Sequence, residues 1–467
     1  MAVETKQDAD HVFYELTRSI CPVCRDTIDA QILLKDGKVI MRKRCKTHGW
    51  FNSLISSDSE MYLNSLKYNK PGTMPLGFST EVVDGCPKDC GLCPEHKQHT
   101  CLGLIEVNSH CNLDCPICFA DAQPGFSRSM TQVERMLDRF VELEGEPEVV
   151  QFSGGEPTIH PEILPMLRMA FDKGIKVVML NTNGIRIARD DKFLAELPDI
   201  RPTVYLQFDG FEAQTHQAMR GKDLTKDKMR ALDRMAEAKL DVVLVPAIDK
   251  GVNHHEIGDI VRFGIEHPAV RGIAFQPVTY SGRYFDFDPM DRETLADVVH
   301  GIAEQTDGMF VESDFIPVPC CHPTCRSATY AYIEDGNVTP LPRVIEVDDY
   351  LDYVTNRTLP EVSPDILEAL EGLWSASSVP GTDAAARRFD CAACNLSFSS
   401  ETAYLKEHVF MIVVQGFGDV YNLDLKALMK CCIGELIPDG RTIPFCAYNT
   451  VGYREKTRAA LMAGKMQ

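Results

Sequence analysis

The chain has 467 residues, 44% of them hydrophobic, and a formal net charge of −20. That length predicts two or three domains rather than one core, and the acidic balance argues against a nucleic-acid partner, since phosphate contacts need clustered Lys and Arg. The N-terminus, MAVETKQDADHVFYELT, has no apolar signal core, and no run reaches the roughly 20 apolar residues of a spanning helix, so a soluble cytoplasmic protein is expected.

Eighteen cysteines in a large chain of this kind point to metal-binding thiolates rather than disulfides. They gather toward both ends, and none lies between Cys118 and Cys320, so a cysteine-free scaffold is expected in the middle. Residues 1–85 read as a small module. Its CPVC (Cys21, Cys24) and CKTH (Cys45, His48) knuckles flank AQILLKDGKVIMRK, whose DG turn predicts a hairpin. Four tetrahedral ligands follow, for a structural zinc or a rubredoxin-like iron, both of which accept such a site.

Residues 86–102 come next. CPKDCGLCPEHKQHTC supplies Cys86, Cys90, Cys93 and Cys101, four thiolates that suit a fully ligated [4Fe–4S] cube, with zinc as the rival. Ten residues later SHCNLDCPICFAD carries only three, Cys111, Cys115 and Cys118. Three thiolates leave one iron of a cube without a protein ligand, as catalytic metal sites keep a position open.

Over 103–310 the chain alternates apolar runs with amphipathic stretches. GLIEVN (103–108), EVVQFSG (148–154), KVVMLNTNG (176–184), TVYLQFDG (203–210), DVVLVPAI (241–248) and GIAFQPV (272–278) read as buried strands. MTQVERMLDRFVELE, HPEILPMLRMAFDKG, LTKDKMRALDRMAEAKL and NHHEIGDIVRFGIEH repeat apolar residues at helical spacing. Six βα units predict an α/β fold, a partial (β/α)6 barrel whose chemistry gathers at the C-terminal strand ends. Polar and glycine-rich residues stand there: Gly154, Gly155 and Glu156 in SGGEP, Asn181 and Asn183 in NTNG, and Asp209 in FDG.

The triad after the first strand, GGEP after the second, NTNG after the third and FDG after the fourth resemble the radical S-adenosylmethionine superfamily. The resemblance implies that Cys111, Cys115 and Cys118 hold a catalytic [4Fe–4S] cluster whose open iron takes the cofactor's amine and carboxylate, and that reductive cleavage yields a 5′-deoxyadenosyl radical. It implies further that Glu156 meets the amine, Asn181 and Asn183 the ribose, Ile117 the adenine and Arg220 the carboxylate, with Gly154, Gly155 and Asp209 around the same cavity. Turn capping is the alternative for the asparagines and a surface charge for Arg220, while core packing explains Ile117 equally well. The linked string from Cys86 to Phe119, with PCCHPTC (319–325) and the late CC…PFCAYN (431–449), is similar to the group of tetraether lipid synthases and class D radical methylases.

Residues 311–467 lose the βα rhythm and read as an auxiliary-cluster domain. Neighbouring side chains diverge, so each CC pair contributes one ligand, and Cys321, Cys325, Cys432 and Cys446 are taken as a second auxiliary cube. That makes three [4Fe–4S] clusters, one catalytic and two auxiliary. SASSVPGTDAAA (375–386) reads as a connection, and Cys391 and Cys394 as half a metal site without a partner. Two reactions stay open: carbon–carbon coupling of lipid chains, which needs an apolar tunnel and contact with a membrane surface, or transfer of a one-carbon unit from a reduced folate or pterin to a small heterocycle, which needs a polar pocket. Lipid coupling is the first expectation. A non-catalytic electron carrier is the third, and it leaves the strand-end motifs idle. Either enzyme needs a low-potential electron donor of flavodoxin or ferredoxin type.

Overall fold

Alternating side chains in the first part of the chain build a four-stranded antiparallel sheet of β1 (Val12–Ile20), β2 (Thr27–Lys35), β3 (Lys38–Cys45) and β4 (Gly49–Ser56). The computed structural model describes residues 9–284, 287–334, 336–343 and 408–466. The predicted connection at 375–386 and the Cys391–Cys394 pair lie outside the described residues. The β2–β3 hairpin turns at Asp36 and Gly37, with φ of 52° and 72°, the paired positive angles that a two-residue turn of this hand requires. The module docks on the C-terminal part of the chain through polar contacts. Buried Lys43 donates to Ser19 Oγ (3.0 Å) and to the Val420 carbonyl (2.8 Å), and burial holds its amine down to about 7.

The six expected parallel strands form: β5 (Leu102–Asn108), β6 (Val149–Gly154), β7 (Val177–Thr182), β8 (Thr203–Gln207), β9 (Val242–Val245) and, after the two-residue β10 (Ala247–Ile248), β11 (Val270–Pro277). DVVLVPAI is split at Pro246, which has no N–H to give the ladder. Helices Met130–Glu144, Ile163–Asp172, Thr225–Glu237 and Ile257–Glu266 occupy the predicted amphipathic stretches, the first opened by a Ser129–Gln132 capping box.

Each strand divides its two faces sharply. Ile105, Val150, Phe152, Leu180, Leu206 and Leu244 face the helices in one continuous core, while their neighbours Glu106, Gln151, Ser153, Asn181, Tyr205 and Gln207 line the barrel interior.

Residues beyond 310 add β12 (Ile316–Pro317), β13 (Arg326–Glu334), β14 (Asn337–Pro340), β15 (Val409–Gln415), β16 (Ile433–Leu436) and β17 (Thr442–Pro444). They do not form a separate layer. β15 pairs parallel with β11 and carries β13 antiparallel, while β16 pairs parallel with β5 and carries β17 antiparallel. The last part of the chain therefore extends the barrel at both edges and brings its cysteines to the wall beside β5. Among the described residues no helix is long and apolar enough to cross a membrane.

Candidate active site

The three-cysteine loop follows β5 and is held from below by the end of β6. Gly155 N donates to the Asn108 carbonyl (2.9 Å) and Glu156 N to the His110 carbonyl (2.7 Å). A Cβ on Gly155 would stand 1.9 Å from the His110 oxygen, and one on Gly154, at φ +136°, 2.3 Å from the Asn108 oxygen. These glycines make room for the cysteine loop as well as lining the cavity above it.

Glu156 is 1% exposed, and its carboxylate is already engaged. It accepts from Thr158 N (3.0 Å), Thr158 Oγ1 (2.6 Å), Thr182 Oγ1 (2.7 Å) and Asn183 N (2.8 Å). Its work here is to lock GGEP to NTNG, so a contact with a cofactor amine does not follow from this geometry. Asn183 caps the next helix through Ile185 N (3.0 Å) and reaches Asn112 in the cysteine loop (2.7 Å). Asn181 donates to Ser153 Oγ (3.3 Å) and lines the cavity.

Asp209 is fully buried beneath the cavity rather than in its lining. Arg220 donates to it in a two-pronged pair, Nε and Nη2 each at 2.6 Å, and Nη1 reaches the Ile117 carbonyl (3.2 Å). Burial alone would raise the Asp209 carboxyl; the guanidinium overrides it and holds the group below the usual range. Arg220 is thus committed to Asp209 and to the cysteine loop, where a cofactor carboxylate was expected. Ile117 packs with Met219 and Val278 and also lines the cavity. Sequence reading missed Lys228, buried under both motifs, whose Nζ donates to the Asn183 carbonyl (2.7 Å) and to Gln207 Oε1 (2.9 Å) and is pushed down by burial to about 7.

The cavity holds about 290 Å³ and is bounded by Cys111, Cys115 and Cys118, the strand-end residues, and a polar inner wall of Gln151, Tyr205, Gln276, Arg326, Gln415 and Glu435. Phe119, directly after the triad, stacks on Phe445 with centroids 5.2 Å apart and planes 7° apart; Phe417 stands edge-on to both, and all three line the cavity. Burial pushes the Cys111 thiol up to about 12 and raises Cys115. Three thiols on one short loop, Cys115 buried and Cys111 and Cys118 half-buried, with no fourth sulfur from the loop, fit a cubane cluster with one iron open to the cavity.

The other cysteines regroup. Cys21, Cys24, Cys45 and His48 form the expected tetrahedral set, with ligand atoms within 4.8 Å of one another. Cys101 does not complete the Cys86–Cys90–Cys93 loop; its sulfur lies within 4.8 Å of those of Cys320 and Cys432, with Cys321 in the same buried cluster. The cause is strand pairing. Leu102 opens β5 opposite Ile433 of β16, so the residues just before them, Cys101 and Cys432, stand side by side. Cys431 is paired with Cys446, whose thiol holds it down to about 7, while Cys325 stands between the groups, a charge neighbour of Cys431, Cys446 and Cys432 that also packs against the Cys101–Cys320–Cys321–Cys432 cluster. The expected Cys321–Cys325–Cys432–Cys446 set is therefore divided between two groups, and Cys320 and Cys431, passed over in the sequence, belong to them. Members of the 431–432 pair diverge, as expected of consecutive side chains, whereas Cys320 and Cys321 stand in one cluster, against the expectation of one ligand from each CC pair.

A (β/α)6 barrel with a three-thiolate loop at its first strand end defines a radical S-adenosylmethionine enzyme, and residues 105–264 match the Radical SAM superfamily. Residues 13–57 match the HMPTM N-terminal zinc ribbon domain. The chain belongs to the same family as the 7,8-dihydro-6-hydroxymethylpterin dimethyltransferase of Methanocaldococcus jannaschii, with 36% identity over 477 aligned residues that span 94% of each chain. A GTP 3′,8-cyclase from Chlorobaculum tepidum is 30% identical over 203 residues, covering 41% of this chain and 60% of the cyclase. Among solved structures, Streptococcus suis SuiB bound to S-adenosylmethionine aligns with a TM-score of 0.39 and 19% identity, over 45% of this chain and 47% of SuiB.

Proposed function

We propose that this chain is a radical methyltransferase that acts on a reduced pterin-class heterocycle, using a one-carbon unit from a reduced folate or pterin donor. The observation that carries this reading is the alignment along nearly the whole chain to a protein named as a dihydropterin dimethyltransferase. The cavity supports it independently: an aromatic wall at Phe119, Phe417 and Phe445 suits a flat ring, and amide, hydroxyl and carboxyl groups suit its hydrogen-bonding edge. Coupling of lipid chains is the weaker reading. A saturated chain needs a long apolar bore, whereas Gln151, Gln276, Arg326, Gln415 and Glu435 stand in the wall of this cavity.

Bound S-adenosylmethionine supplies, on one-electron reduction, a 5′-deoxyadenosyl radical able to take hydrogen from an unactivated carbon. This chain's residues bind and orient. We assign the cofactor to the space between the triad, the Gly154–Glu156 backbone, Asn181 and Ile117, with Arg220 and Asp209 fixing the loop that carries the cluster. The Cys101–Cys320–Cys321–Cys432 group supports one auxiliary [4Fe–4S] cluster. Cys86–Cys90–Cys93 and Cys325–Cys431–Cys446 each support a site needing a further ligand. The ribbon set supports zinc. The electron comes, in this reading, from a cytoplasmic flavodoxin- or ferredoxin-type donor. Anaerobically reconstituted protein given dithionite and S-adenosylmethionine should release 5′-deoxyadenosine. Cys115→Ala should abolish that release and leave zinc content unchanged; release undiminished in the variant would overturn the assignment of the triad.

A further inference from the structure

A pterin ring presents, on its pyrimidine side, an exocyclic amine and a ring N–H side by side, a donor pair that a single carboxylate can accept with two parallel bonds. Three carboxyl side chains line the cavity: Glu106, Glu156 and Glu435. Two are taken. Glu156 spends its oxygens on Thr158, Thr182 and Asn183, and Glu106 is ion-paired with Arg454 and accepts from Tyr448 Oη (3.1 Å). Glu435 accepts a long bond from Glu106 N (3.2 Å) and lies among the charges of Glu106, Arg128 and Arg454; it is 1% exposed, and burial, with Glu106 beside it, pushes its carboxyl well above the usual range.

Its position is set by the sheet. Glu435 lies opposite Leu104 in the β16–β5 ladder, and both line the barrel interior. The aromatic wall of Phe119, Phe417 and Phe445 borders the same cavity, which thus offers a flat ring both a stacking surface and a carboxyl.

We propose that Glu435 is the specificity-determining residue that reads the amino-pyrimidinone edge of the substrate ring; this rests on the pterin reading above. Facing two donors, the carboxyl gives up its proton and accepts from both as a carboxylate; in that form it favours the amine-bearing ring and repels its 2-oxo counterpart, a dihydrolumazine, which offers an acceptor where the amine stood. An amide in the same place offers one donor and one acceptor and suits the dihydrolumazine instead.

The test is anaerobic calorimetry on reconstituted holoenzyme with 7,8-dihydro-6-hydroxymethylpterin and its 2-oxo counterpart as probes. Wild type should prefer the pterin by about tenfold or more. Glu435→Gln should reverse that preference, and Glu435→Asp should keep its direction with weaker binding. A Glu435→Gln protein that retains its zinc and iron and keeps the wild-type ratio overturns the assignment of Glu435 and leaves the pterin reading standing. Wild type that binds neither ring overturns the pterin reading, and this assignment with it.

Discussion

Arg220 joins two stretches that lie 92 residues apart: its guanidinium grips Asp209 just past the end of β8 and the Ile117 carbonyl inside the cysteine loop. Removing one partner of a buried pair leaves the other charge without compensation, so Asp209→Asn should cost about 3–5 kcal/mol of unfolding free energy at neutral pH, read by denaturant titration. The pair also fixes a pH dependence. Asp209 is held below the ordinary carboxylate value, so its contribution is complete above roughly pH 4 and fades as pH falls through the lower folded value. The stability gap between wild type and Asp209→Asn should therefore close in acid; a gap constant down to acid unfolding would show that the ion pair is not its source. The sequence singles out Asp209 and Arg220, each for the cofactor cavity. What could not be read is that they serve each other, since hydrogen-bond partners depend on a fold that the two motifs do not encode alone.

The decisive element is the junction of β5 and β6. Gly155 was legible as a glycine that allows close approach, but its neighbour proved to be the cysteine loop: a methyl group there meets the His110 oxygen at 1.9 Å. Gly155→Ala should shift that loop at a cost of about 1–3 kcal/mol and lose the catalytic cluster's absorbance on reconstitution, while the ribbon keeps its zinc. Full iron loading of the variant would show that the loop tolerates the shift. On the other side of β5, the β16 pairing settles which cysteines meet. Spacing along the chain suggested that Cys101 closes the loop of Cys86, Cys90 and Cys93, because local spacing was the visible signal; the ladder that places Cys101 beside Cys432 joins residues more than 300 positions apart. Cys101→Ser and Cys432→Ser should therefore perturb one and the same electron-paramagnetic-resonance signal, and Cys446→Ser a different one. A signal shared by Cys101→Ser and Cys86→Ser instead would restore the grouping by sequence.

For the whole molecule, the six strands, their order and their reactive ends followed from apolar runs spaced by helical periodicity, and the four-ligand ribbon from two knuckles around a DG turn. The C-terminal strands did not. β12, β14, β16 and β17 have only two to four residues, and β12 to β17 join both edges of a sheet begun more than 200 residues earlier, with no βα rhythm to mark them. The polar cavity wall had a fainter mark. GLIEVN and IGEL each hold a lone glutamate in an apolar run, Glu106 and Glu435, and a charge on a buried strand is a signal of function that went unread.

The account turns on the substrate. Reconstituted protein with dithionite, S-adenosylmethionine, a reduced folate one-carbon donor and 7,8-dihydro-6-hydroxymethylpterin should yield, by mass spectrometry, pterin heavier by one or two methyl groups, with 5′-deoxyadenosine released faster than from dithionite and S-adenosylmethionine alone. Release of 5′-deoxyadenosine with the pterin mass unchanged, while a saturated lipid acceptor is coupled, would contradict it.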